Sequence, residues 1–210
     1  MENRTMKKAL FITVEGLEGS GKSSVIGYLE KFFRVRGAHC TVFREPGSTR
    51  VGEKIRQLLL DKKNSELSRH TELLLYLAAR TQLIEEKLTK VFGEADVIIS
   101  DRFFDSTLVY QGYALGLGRI VERAVAMFTL GVVPDITFLL DVHPSRGLAR
   151  IRDKDRIESR PLSFHRKLRK GYLTLAKKYP GRIAVINAEG TLDEIYMQVE
   201  KVLRKKIGRA

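Results

Sequence analysis

The stretch Ala9 to Ser24, A-L-F-I-T-V-E-G-L-E-G-S-G-K-S-S, constrains the fold more than any other part of the chain. Leu10 to Val14 is a short run rich in β-branched and aromatic side chains, which predicts a buried strand. It runs directly into Gly16, Leu17, Glu18, Gly19, Ser20, Gly21, Lys22 and Ser23, the pattern G-x-x-x-x-G-K-S. Glycines at these positions let the backbone turn its N–H groups inward on a polyphosphate. Lys22 is long enough to reach the outer phosphates, and the Ser23 hydroxyl suits Mg²⁺. Beyond Ser24, the residues Val25, Ile26, Leu29, Phe32 and Phe33 form an amphipathic run, a helix whose N-terminus adds partial positive charge. A strand before and a helix after separate this loop from a chance Gly-rich turn. The expectation is that Gly16 to Ser24 hold the phosphates of ATP.

The rest of the chain alternates in the same way. Apolar runs at Thr41 to Arg44, Asp96 to Ser100, Ile136 to Asp141 and Ile183 to Ile186 predict further strands. Helical periodicity covers Val51 to Leu60, Ser68 to Val91, Leu108 to Ala114, Ile120 to Leu130, Pro144 to Ile151, Phe164 to Lys178 and Leu192 to Ile207. Ser68 or Thr71 would cap the longest of these, and Gly93 would end it. Near-continuous apolar strands alternating with helices predict an α/β, three-layer α/β/α fold with a parallel sheet covered on both faces. Right-handed crossovers then gather the strand ends on one side, where ligands bind. With 210 residues and no Pro, Gly or Ser linker, a single domain is expected over 1–210.

Hydrophobic residues make up 43% of the chain, yet no apolar run approaches the ~20 residues of a membrane span. Cys40 is the only cysteine, which excludes an internal disulfide and fits a reducing cytoplasm. On a strand it reads as packing. The net charge of +13 admits two readings, nucleic-acid binding or the binding of small polyanions such as nucleotides. Part of it lies at Lys201, Arg204, Lys205, Lys206 and Arg209, where cations suit a helix C-terminus. No zinc spacing, aromatic RNA-binding signature or internal repeat accompanies it.

Several clusters fall at strand ends. Asp101 and Arg102 directly follow one strand; the acid can hold Mg²⁺ or its waters, and the guanidinium suits phosphate. Arg44, Glu45, Pro46, Gly47, Ser48 and Thr49 end another with a cation, a rigid turn and hydroxyls. Tyr76 and Arg80 lie one helical turn apart and so share a face, an aromatic that stacks beside a group that hydrogen-bonds. The charged stretch Arg152 to Arg160 reads either as a solvated loop or as a lid over phosphates.

Taken together, these segments resemble thymidylate kinases. The matching motifs are E-G-L-E-G-S-G-K-S (15–23), R-E-P-G-S-T (44–49), Y-L-A-A-R (76–80), D-R-F-F-D-S-T-L-V-Y-Q-G (101–112), P-D-I-T-F-L-L-D (134–141), D-R-I-E (155–158) and F-H-R-K-L-R-K-G-Y-L-T-L-A (164–176). The resemblance implies a P-loop kinase that passes the γ-phosphoryl of ATP to dTMP, with Mg²⁺ at Ser23 and Asp101. It implies a dTMP site of Glu18, Arg44, Pro46, Tyr76, Arg80, Arg102, Thr107, Tyr110 and Gln111. Glu18 would reach the sugar 3′-hydroxyl or a Mg²⁺ water, and Tyr76 would stack on thymine in a place usually held by Phe. Arg80 and Thr107 would bond the base, Tyr110 would crowd the sugar 2′ position, and Arg102, with Arg56 a weaker candidate, would hold the dTMP phosphate. In one subtype the phosphate loop carries a catalytic arginine; here Gly19-Ser20 stands there. The bacterial subtype is therefore implied, with its arginine from a short lid over 150–160: Arg150, Arg152 or Arg156. A homodimer acting on small molecules in the cytoplasm, with no nucleic-acid or membrane partner, is the further expectation. Ser48 departs from the usual glycine of the R-E-P-G-G-T turn.

Overall fold

The computed structural model describes residues 9–208. Among them five strands form one parallel sheet in the order β2-β3-β1-β4-β5. They are β1 (Leu10–Gly16), β2 (Cys40–Arg44), β3 (Val97–Asp101), β4 (Ile136–Asp141) and β5 (Ile183–Asn187). β1 is central, with Ile12 paired to Ile99 of β3 and to Ile136 of β4. Its apolar residues alternate between two cores. Ile12 and Val14 join Ile99, Phe138 and Leu140 on one face, under α1 (Lys22–Arg34), α8 (Leu162–Lys178) and α9 (Leu192–Ile207). Phe11 joins Ile98 and Phe43 on the other, under α3 (Arg69–Leu83) and α6 (Arg119–Phe128). Both faces of β1, β3 and β4 are buried in this arrangement, which is why those strands read as continuous rather than alternating, while the edge strands β2 and β5 keep exposed positions. Cys40 is buried at the start of β2.

Helix ends differ from the sequence expectations in informative ways. Ser68, not Thr71, caps α3, its side chain accepting from the Thr71 N–H. The helical run does not stop at Gly93. It passes through a π-helical stretch (Ile84–Leu88) into α4 (Thr89–Glu94), and Ala95 ends it in an extended conformation. A glycine close to a helix end is a stop only where the chain turns left-handed, and that does not happen here. α5 (Phe104–Thr107) leads into a second π-helical stretch (Leu108–Ala114). α7 (Pro144–Ala149) is shorter than expected, so Arg150 is its C-cap rather than an interior residue. α2 (Arg50–Leu60) follows the turn after β2 and is capped by Thr49.

Of the C-terminal cations, Arg204 pairs with Glu200, and Lys206 donates to the Gly181 carbonyl. Arg209 lies outside the described residues. No helix among the described residues is long and apolar enough to cross a membrane.

Candidate active site

β1 ends at Gly16, and the chain then wraps over the sheet edge to start α1 at Lys22. Gly19 has φ +69°, and a Cβ there would lie 2.1 Å from the Gly147 carbonyl oxygen of α7. The reverse also holds, since a Cβ on Gly147 would meet the Glu18 carbonyl oxygen at 2.5 Å. Loop and helix touch backbone to backbone. Lys22 Nζ donates to the Leu17 carbonyl at 3.0 Å and sits 3.4 Å from that of Gly16. Desolvation, with Arg102 adding to it, lowers the Lys22 pKa to about 8. Leu17 and Ser20 are buried, while Ser24 uses its carbonyl to accept from Tyr196.

Arg102, one residue beyond β3, is held at φ +69°. A non-glycine residue pays strain for that conformation, and such residues concentrate at functional sites. The side chain explains what holds it there. Nη1 donates to the Gly16 carbonyl at 3.0 Å and to the Ser106 and Tyr172 hydroxyls at 3.1 Å each. Nη2 donates to Glu18 Oε1 at 3.1 Å, which also accepts from the Tyr110 hydroxyl at 2.5 Å. Burial alone would raise the Glu18 carboxyl. His165, Arg102, Lys22 and Tyr110 outweigh it and hold that carboxyl well below the usual range, so Glu18 is an anion. Beneath lies Glu15, fully buried, accepting from the Phe103 and Ser106 N–H groups and from the Ser106 and Tyr172 hydroxyls. Burial pushes its pKa up to about 7, against the lowering effect of Arg102.

Of these groups, Glu18, Lys22, Arg102, Ser106 and Tyr110 line a cavity of about 220 Å³. Of the residues singled out in the sequence, it brings together Glu18, Gly19, Lys22, Ser23, Arg44, Pro46, Arg56, Tyr76, Asp101, Arg102, Thr107, Tyr110 and Gln111. Arg44 is tied to Glu53 through both carboxylate oxygens, and Arg56 donates to the Pro46 carbonyl. Gly16, Leu17, Ser20, Gly21 and Ser24 shape the loop without lining the cavity.

Arg80 is not on the wall. Its guanidinium is 2% exposed and committed behind it, with Nε donating to Glu45 Oε2 at 2.7 Å and Nη1 to the Thr107 hydroxyl at 2.9 Å. Arg80 therefore orients Thr107 from the rear. Glu45, expected only as part of its turn, is the acid that holds Arg80.

The expectation for the lid splits. Arg150 Nη1 donates to the Gly19 carbonyl at 2.9 Å, which brings a cation onto the phosphate loop. Arg152 is exposed. Arg156 is not in a loose segment: it is 8% exposed, with Nε donating to the Leu59 carbonyl and Nη2 to Glu72, both at 2.7 Å. The D-R-I-E motif has a local cause. Asp155 Oδ1 accepts from the N–H groups of Ile157 and Glu158, and Glu158 returns a bond to the Asp155 N–H. The closed turn points Arg156 inward.

Sequence reasoning missed Glu72, Ser106, Tyr172 and His165. Glu72 and His165 sit inside helical stretches where a lone polar residue looks like part of a solvated face, and no spacing reveals a partner that is distant in the chain.

The thymidylate kinase family model matches residues 14–199. A thymidylate kinase of Thermoanaerobacter sp. (strain X514) is 41% identical over 201 residues, covering 94% of this chain and 98% of its own. One from Clostridium novyi (strain NT) is 40% identical over 205 residues, covering 95% and 100%. Among solved structures, a thymidylate kinase from Ehrlichia chaffeensis superimposes with a TM-score of 0.74 at 31% identity, covering 94% of this chain and 99% of that one.

Proposed function

Because the chain belongs to the thymidylate kinase family, whose reaction moves the γ-phosphoryl of ATP to dTMP to give dTDP and ADP, we propose that dTMP occupies the cavity under the phosphate loop. The observation that carries this reading is the make-up of the cavity. Its lining combines cations suited to phosphate (Lys22, Arg102, Arg56) with an aromatic and hydrogen-bonding groups suited to a base (Tyr76, Thr107, Gln111). A nucleoside monophosphate presents both a phosphate and a base.

Arg102 holds the acceptor phosphate, and Tyr76 stacks on the base. Tyr110 and Glu18, already joined, meet the sugar: the carboxylate accepts a 3′-hydroxyl, and the ring fills the space a 2′-hydroxyl would need. An oxygen of the dTMP phosphate bonds to the γ-phosphorus as the bond to the β–γ bridging oxygen breaks, and the electrons leave with ADP. The acceptor is already an anion, so no general base is required. Positioning and neutralisation supply the rate, through Lys22, Arg102 and Arg150.

The residues fit Mg²⁺. Asp101 Oδ1 is buried and has no hydrogen-bond partner among the described residues, and Ser23 lines the same cavity. One carboxylate, one hydroxyl and substrate phosphates are the donors such an ion takes. When bound, it would neutralise phosphate charge. The proposal extends to a single domain acting in the cytoplasm as a homodimer. The exposed apolar side chains of Leu74, Met127, Phe128 and Leu130, on and just after α3 and α6, support the dimer.

The test is a panel of dTMP, dUMP, dCMP, AMP and thymidine, with ADP release measured. dUMP lacks only a methyl, so kcat/KM should fall roughly 10–200-fold. dCMP reverses the hydrogen-bonding pattern and should lose about 10⁴-fold. Equal use of dCMP or AMP would show that the cavity does not read thymine.

A further inference from the structure

Glu72 lies within α3 and is completely buried, yet nothing in the reaction so far uses it. Its two carboxylate oxygens face different parts of the site. Oε1 accepts from the Gln111 side-chain N–H at 2.9 Å. Oε2 accepts from Arg156 Nη2 at 2.7 Å and Arg160 Nη2 at 2.6 Å, both from the lid segment. Gln111 lines the cavity, and Tyr76 stands one turn along α3 from Glu72.

A carboxylate can only accept hydrogen bonds. Glu72 therefore dictates which way the Gln111 amide points: the NH₂ group must face Glu72, which leaves the amide oxygen for the cavity. That oxygen accepts no hydrogen bond among the described residues, and it matches a base edge that offers an N–H. Thymine offers one at N3; cytosine presents a lone pair there. The same buried carboxylate holds two guanidinium groups of the lid, Arg156 buried and Arg160 partly exposed, and removing the anion leaves both without that partner.

We propose that Glu72 is a positioning residue that joins the base pocket to the lid, setting the Gln111 acceptor with one oxygen and holding Arg156 and Arg160 with the other. The inference rests on dTMP occupying the cavity. A base that engages Gln111 tightens the Gln111–Glu72 bond, and through it the lid that brings Arg150 over the phosphate loop.

The experiment is Glu72→Gln, which keeps the volume but gives position 72 an N–H of its own. Gln111 is then free to turn round and show its NH₂ to the base. The ratio of kcat/KM for dTMP over dCMP should fall by about tenfold or more. In the same variant, trypsin cleavage after Arg156, which is buried in the wild type, should speed up. Both readouts must move. A merely structural Glu72 would lower thermal stability and leave the substrate ratio unchanged, and that result overturns the proposal. Should Glu72→Gln fail to fold, Gln111→Leu tests the joint from the other side. Saturating dTMP should slow cleavage after Arg156 in the wild type but not in Gln111→Leu, and equal protection in the two overturns the coupling. A wild type that does not phosphorylate dTMP would instead overturn the assignment of the cavity.

Discussion

Lys22 gives the donor side a pH dependence of a definite sign. Its pKa is lowered from 10.5 to about 8, by desolvation first and by Arg102 second. Only the ammonium form attracts polyphosphate, so ATP affinity should weaken as pH rises through 8, by about tenfold between pH 7 and pH 9. Equilibrium titration with ATP across that range checks it. Lys22→Arg, whose guanidinium stays charged, should flatten the profile even if it binds less well. Ser48 shows how far single residues were legible. The sequence shows a serine where the family turn has glycine. The serine accepts φ +66° because its hydroxyl bonds the Arg44 N–H at 2.8 Å and the Arg44 carbonyl at 3.1 Å. Short polar side chains can support such a conformation locally, but whether one does depends on where the neighbouring backbone points.

The arginines of segment 150–160 divide between two places: Arg150 donates to the phosphate loop at the Gly19 carbonyl, and Arg156 turns inward to Glu72. Charge density marks such a segment, but it does not say which cations turn inward. Arg156 finds Glu72 84 positions away in the chain, and no motif spans that distance. The two arginines should therefore fail differently. Arg150→Ala should lower kcat by a large part of the 10³–10⁵ that an arginine gives such a transition state, with KM for dTMP and the melting temperature nearly unchanged. Arg156→Ala leaves a buried carboxylate with one guanidinium fewer and should lower stability by about 3 kcal/mol. Steady-state kinetics and denaturant unfolding on both variants separate the two roles. If Arg156→Ala unfolds normally and loses kcat instead, the assignments are reversed.

For the whole molecule, the layered architecture was legible because strands buried on both faces leave a continuous apolar signature. What sits beneath the sheet edge was not, and Glu15 is the clearest case. Its pKa is raised from 4.5 to about 7, chiefly by burial. A raised folded-state value means that the native protein binds more protons than the unfolded chain between those two limits. Its contribution is therefore fully present below about pH 4.5 and is lost as pH climbs through 7, a swing of about 3 kcal/mol at most. Glu18, held low, contributes in the opposite direction and at lower pH. Comparing Glu15→Gln with the wild type isolates the first effect: the difference in unfolding free energy between the two should change steadily from pH 5 to pH 7.5. A constant difference would mean that Glu15 stays ionised in the fold.

The backbone contact between Gly19 and Gly147 also bears on how this enzyme can change over generations. A side chain at position 19 would collide with the Gly147 carbonyl, and the loop carbonyl beside it is the one that Arg150 grips. A lineage that acquired arginine in the loop while α7 remained in place would disturb the phosphate cradle and loosen the existing arginine in the same step. On the role proposed for Arg150, the two layouts are thus separated by an intermediate with neither arginine well placed. Moving from one to the other requires α7 to retreat first, before any selective advantage appears.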